Sequence, residues 1–278
     1  MYDFIVHRFF GILYRLNIVI DASPSPARTT LVFMHGIGSS HKMWRKTQQE
    51  LRNQHGLNNV NIVSVDLLGF GASPRPTWTK YSVKLQARSL HKTLRPIVAK
   101  TRVIFVGHSL GALVAVEYTK LYGKSLDALI LCSPPFYRKN SGRLPTRDAL
   151  LQRAYSEFAK HPERSQQILL MVKNYSMVNE GYDIDESNAQ IFIKTLESSI
   201  MNQTAYNDAF NINVPTVILS GILDPVVIDA NIASLAKHNR HIQHKRIALA
   251  AHEINPLYRR ELSRTINNIV RVIDENTL

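Results

Sequence analysis

The five residues Gly107-His108-Ser109-Leu110-Gly111 most constrain what this chain can fold into. They follow an apolar run, 103–106, that reads as a buried strand. They precede residues 110–122, which read as a helix closed by Gly123. A serine held at a sharp strand-to-helix turn must adopt a strained backbone conformation. The glycines on either side are small enough to let such a turn close. The turn lifts the hydroxyl out of the sheet, and the helix N-terminus behind it favours developing negative charge. Ser109 is therefore a candidate nucleophile that still needs a base to take its proton.

The rest of the chain alternates short β-rich runs with helical patterns. This order predicts an α/β fold, a mostly parallel central sheet with helices on both faces. Strands are expected at 30–34, 61–65, 103–106, 128–131, 216–219 and, more weakly, 243–249. Helices are expected at 42–54, 110–122 and 256–273. Ser82 can cap a further helix whose apolar face is Val83, Ala87, Leu90, Leu94 and Ile97, with Lys84, Arg88, Lys92 and Arg95 on the other side. Residues 4–13 are bulky and apolar but interrupted by His7 and Arg8. They read as a β-hairpin turning near Gly11, with an interfacial membrane segment as the alternative. A secretory leader is not expected, because Asp3 stands where basic residues belong and no small-residue cleavage site follows.

Residues 134–210 break the alternation. They contain helical patterns at 148–160, 162–177 and 186–201 but no convincing strand. The expected organisation is thus a core of residues 1–133 and 211–278 with an inserted helical cap, 134–210. Ligands bind at the carboxyl ends of strands in open α/β sheets, so the cap should lie over Ser109. Phe136 and Tyr137 at its start, and Met171 within it, are candidate pocket residues.

Three further segments complete a resemblance. His35-Gly36-Ile37-Gly38 follows a strand, Asp66-Leu67-Leu68-Gly69-Phe70-Gly71-Ala72-Ser73 forms a glycine-rich turn, and Ser220-Gly221-Ile222-Leu223-Asp224-Pro225 ends another strand. Together with the serine turn, they resemble the α/β-hydrolase superfamily, of the capped, esterase-like kind. The resemblance implies a catalytic triad in the chain order Ser109, Asp224, His252. Ala251 precedes His252 where the family often has glycine. It also implies an oxyanion hole from the backbone amides of Ile37 and Leu110. His35 and His108 would shape turns, and Asp66 would organise its loop. The implied activity is that of a carboxylesterase acting on a small-molecule acyl ester through an acyl-enzyme. Two other readings stay open. The same triad can serve C–C bond, thioester or lactone hydrolysis or acyl transfer, and the fold can serve as a ligand-binding receptor.

Composition narrows the remaining classes. Of 278 residues 45% are hydrophobic and 20% charged, as in ordinary globular domains. No metal-ligand spacing, P-loop or dinucleotide fingerprint occurs, so neither a metal nor a cofactor is expected. The net charge is +13, and between His35 and Gly107 twelve basic residues face only Glu50 and Asp66. The plain reading is a solvated basic face; the sharper one is an acidic partner or an anionic membrane surface. No nucleic-acid-binding motif accompanies the charge, so nucleic acid is not an expected partner. A single cysteine, Cys132, excludes an internal disulfide and fits a cytoplasmic protein.

Overall fold

The computed structural model describes residues 4–53, 57–138, 182 and 189–275. Seven strands form one sheet: β1 (Ile18–Asp21), β2 (Thr29–Met34), β3 (Val60–Val65), β4 (Arg102–His108), β5 (Ala128–Cys132), β6 (Thr216–Gly221) and β7 (Ile242–Ile247). Their order is β1-β3-β2-β4-β5-β6-β7. All neighbours are parallel except β1, which runs antiparallel to β3.

The helices are α1 (Arg45–Arg52), α2 (Val83–Val98), α3 (Leu110–Tyr122), α4 (Ala189–Thr195), α5 (Ala205–Ala209), α6 (Asp229–His238) and α7 (Pro256–Glu275). A wider turn, Leu196–Met201, continues α4. Ser82 caps α2 as its sequence suggests, its hydroxyl accepting from the Leu85 amide.

Alternation along the strands explains the layers. Leu31, Phe33, Ile104 and Val106 pack into one cluster with Leu51 of α1 and with Tyr258, Leu262, Ile266 and Val270 of α7. Their neighbours Val32, Met34 and Phe105 point the other way, onto Ala87, Leu90 and Leu94 of α2, the apolar body of α3, and Ile232 and Leu235 of α6. Successive side chains of a strand face opposite sides, so a strand buried on both must be apolar throughout. β2, wholly buried, is apolar from Leu31 to Met34 and opens on two buried threonines, of which Thr30 shares a hydroxyl hydrogen bond with Thr101. From Leu110 to Thr119 every residue of α3 is buried. A helix without a polar face is stable only with neighbours all round it.

The hairpin expected before residue 13 is not formed. Ile5–Phe9 is instead a single wide helical turn, with the Phe10 amide donating to the Ile5 carbonyl at 3.1 Å. The physical reason is that the apolar residues come in runs, Phe4 to Val6 and Phe9 to Phe10, with His7 and Arg8 adjacent between them, so the segment lacks the strict alternation that gives a half-buried hairpin one polar face. The first strand pairing comes later, at Ile18. The helices expected at 148–160 and 162–177, and Met171 with them, lie outside the described residues. The third helical pattern of that stretch is present as α4 and its continuation.

Candidate active site

Ser109 sits between β4 and α3 with φ +51°, outside the region open to most L-residues. Its neighbours show why glycine is needed. A Cβ on Gly107 would lie 2.5 Å from the Gly111 carbonyl oxygen, and one on Gly111 would strike the Met34 carbonyl of β2. The turn is tied down by the Ser109 amide, which donates to the Cys132 carbonyl at the end of β5 at 2.9 Å.

Asp224 and His252 come from the loops after β6 and β7, and the two loops are laced together. The Ile222 amide donates to the Ile247 carbonyl, and the Leu223 amide to the Ala250 carbonyl. A side chain at Gly221 would collide with that same Ala250 carbonyl. His252 Nδ1 lies 2.9 Å from Asp224 Oδ2. The other carboxylate oxygen accepts from the amides of Val226 (2.8 Å) and Val227 (3.1 Å). Burial pushes the Asp224 carboxyl up. The His252 hydrogen bond and charge, with the two amides, outweigh it and hold the group below its ordinary value. Asp224 is thus an anion at neutral pH, and the Nδ1 proton of His252 is fixed toward it.

Ser109 and His252 line one cavity of about 220 Å³, together with Gly36, Ile37, His108, Pro135, Tyr182, Phe192, Leu196, Ile200, Val226 and Glu253. Ile37 follows β2, and Leu110 is the first residue of α3. Neither backbone amide donates to another described residue. Gly36 fits closely here, since a Cβ would lie 2.9 Å from His108 Nδ1 and 3.3 Å from Ser109 Cβ.

The two turn histidines are neutral for a structural reason. His35 donates from Nδ1 to the Gly36 carbonyl and accepts at Nε2 from the Leu67 amide, and burial lowers it to about 4. His108 donates from Nε2 to the His252 carbonyl at 2.8 Å, and burial and the nearby His252 lower it as well. Asp66 gathers its loop through the His41 amide (2.6 Å), the Ala72 amide (3.0 Å) and the Asn17 side chain (2.9 Å).

Of the expected pocket residues, the structure places Phe136 and Tyr137 away from the cavity lining. Phe136 is fully buried, and Tyr137 donates to the Val226 carbonyl. Their neighbour Pro135 lines the cavity instead. The residues that sequence reasoning missed are Phe192, Leu196 and Ile200. Their spacing by four on α4 and its continuation was the available signal, since it puts all three on one face. Tyr182 could not be found that way; its hydroxyl donates to Glu253 at 2.8 Å, beside His252. No group of three or more metal-ligating side chains occurs among the described residues, and none of their helices is long and apolar enough to cross a membrane.

Comparison with known proteins agrees with this architecture. Residues 29–257 match the family described as alpha/beta hydrolase fold. A curated relative, the probable lysophospholipase BODYGUARD 2 of Arabidopsis thaliana, is 28% identical over 131 residues, 47% of this chain and 28% of that protein. The chain thus spans less than a third of this relative's length. Among solved structures, an esterase from Thermogutta terrifontis superimposes with a TM-score of 0.69 at 18% identity, covering 93% of this chain and 94% of that one. The enol-lactonase of Burkholderia xenovorans does so with 0.67 at 18%, covering 92% and 96%. Those two likenesses are of fold. The family match extends over most of the chain, and the chain belongs to the α/β hydrolase fold family.

Proposed function

We propose that this protein is a serine hydrolase that cleaves a carboxylic ester of a small acyl substrate. The observation that carries the reading is the buried Asp224–His252 hydrogen bond, in a cavity that His252 shares with Ser109. With Nδ1 committed to Asp224, Nε2 is the nitrogen left to accept the serine proton. Ser109 Oγ attacks the ester carbonyl as its proton passes to His252. The oxyanion forms against the Ile37 and Leu110 amides, at the positive end of α3. Collapse expels the alcohol with the proton from His252. Water then repeats the sequence, releasing the acid and restoring Ser109.

The cavity wall of Phe192, Leu196, Ile200 and Pro135 is apolar and suits the acyl chain. We assign residues 134–210 as a cap that sets which chain is accepted. The lysophospholipase name of the curated relative supports an amphiphilic acyl ester as the substrate class. We assign the protein to the cytoplasm, a setting that a chain with one cysteine and so no internal disulfide fits. The test is a series of p-nitrophenyl esters of increasing chain length, assayed with wild type and Ser109→Ala. Turnover by wild type alone is the expected result. No turnover of any ester by wild type, or equal turnover by both proteins, would overturn the reading.

A further inference from the structure

We propose that the segment Phe4–Ile12 docks this protein on an anionic phospholipid surface, with the candidate active site facing the lipid. The inference concerns where the proposed esterase meets its substrate, and so it rests on that function; its binding arm is independent of it.

The first observation is an exposed apolar surface. Phe9 and Phe10 are 79% and 67% exposed, and Phe4, Ile5 and Ile12 of the same short segment are exposed too. A soluble surface tolerates scattered apolar side chains, but five large ones within nine residues form a patch of the kind that marks an interaction site. The patch is anchored from behind. The Phe4 ring meets Trp78 edge-on at 5.9 Å, and His7 stacks on Tyr14 at 3.6 Å.

The second observation is charge. Arg8 lies within the patch, and Arg15, Lys80 and Lys84 flank it in sequence or through the Trp78 loop; all four are exposed. None pairs with a carboxylate of a described residue. The first twenty residues hold one acid, Asp3, against Arg8 and Arg15. Aromatic side chains beside unpaired cations fit a lipid interface, where rings enter the acyl boundary and cations meet anionic headgroups.

The third observation is position. β1 is the antiparallel strand, and its first residue, Ile18, pairs with Val65, the last of β3. The chain before β1 therefore lies at the carboxyl end of the sheet, the end that carries Ser109. The Asn17 side chain confirms the placement by donating to Asp66 just beyond β3. The loop holding Trp78 is fastened to the helix that walls the cavity. Lys194 donates to the Thr77 carbonyl at 2.6 Å, and the Ser198 hydroxyl to the Lys80 carbonyl. Apolar patch, cations and cavity wall are thus one connected surface. A single-chain acyl ester leaving a bilayer would meet it before bulk water.

The test is flotation of the whole protein, carrying Ser109→Ala so that catalysis plays no part, with phosphatidylcholine vesicles with and without phosphatidylglycerol. The protein should float with the phosphatidylglycerol vesicles and be released by high salt. The double substitution Phe9→Ser with Phe10→Ser should lower partitioning by at least about tenfold. In the protein with Ser109 intact, it should leave turnover of a short soluble ester unchanged. No flotation with either vesicle, equal flotation with both, or an undiminished double variant would overturn the proposal. So would a wild-type dimer that the double substitution dissolves, since a second copy would then be the occupant. No ester turnover by the protein with Ser109 and both phenylalanines intact, while flotation and its loss in the double variant are as expected, would instead count against the esterase reading alone.

Discussion

The imidazole of His252 meets a carboxylate, Asp224, that is completely shielded from solvent, at 2.9 Å through Nδ1. The carboxylate's other oxygen is held by two backbone amides, so it cannot swing away to pair elsewhere. Asp224→Asn keeps this shape but lets an amide N–H face Nδ1, which drives the imidazole proton to the wrong nitrogen. The expected result is a fall of about 10⁴-fold in kcat with the fold retained. Steady-state kinetics beside a thermal melt check it. A loss smaller than about tenfold would mean that Asp224 does not set the tautomer.

Ser109 is strained as well as placed. Its φ of +51° is a conformation that glycine adopts freely and other residues do not. Removing the hydroxyl alone, as in Ser109→Ala, leaves that strain, whereas Ser109→Gly relieves it. Both variants should be inactive, with the glycine variant the more stable by about 1 kcal/mol. Denaturant melts of the pair decide the matter, and equal stability would remove the strain argument.

Much of this was legible because the informative residues are local in sequence. The serine turn lies between a strand and a helix whose boundaries their own patterns mark, and residues 110–122 form the helix expected of them. The loop histidine and aspartate follow strands in the same way. What was not legible depends on contacts made at long range. Residues 4–13 were expected to pair with themselves, yet the strand that follows them pairs with β3, some forty residues on. Phe136 and Tyr137 were placed near the pocket by their position after β5. A one-residue difference in direction decides lining against burial, and it fell to Pro135. The hydrogen bond from Tyr182 to Glu253 joins residues 71 apart and leaves no local trace.

The wall formed by Phe192, Leu196 and Ile200 gives a test of selectivity. Leu196→Ala or Phe192→Ala opens space along the cavity and removes apolar contact with a long chain. The preferred acyl length should move, with kcat/KM for the best ester altered about tenfold or more, while the shortest ester changes little. An unchanged chain-length profile with only a lower Tm would make this helix structural.

Stability should depend on pH with a defined sign. Burial depresses His35 to about 4 and lowers His108, so both stay neutral in the fold where an unfolded histidine, near ~6.5, takes up a proton. Stability from this source is complete above about 6.5 and is lost as pH falls toward about 4. Asp66 and Asp224, depressed despite burial, add a further loss once pH drops below the ordinary carboxylate range. Thermal melts from about pH 7 to about pH 4.5 should show Tm falling throughout. A Tm that holds constant or rises over that interval would contradict neutral, buried histidines.

Covalent capture of the nucleophile tests the central claim most directly. A fluorophosphonate should react at Ser109 alone, because that hydroxyl shares its cavity with His252, which is held through Nδ1 by Asp224 and which we propose as the acceptor of its proton. Intact-mass and peptide mass spectrometry after labelling should find one adduct per chain, on the peptide holding Ser109. Ser109→Ala should abolish the adduct, and Asp224→Asn should slow its formation sharply. An adduct on another serine, or none at all on folded wild-type protein, would contradict the assignment of Ser109 as the nucleophile.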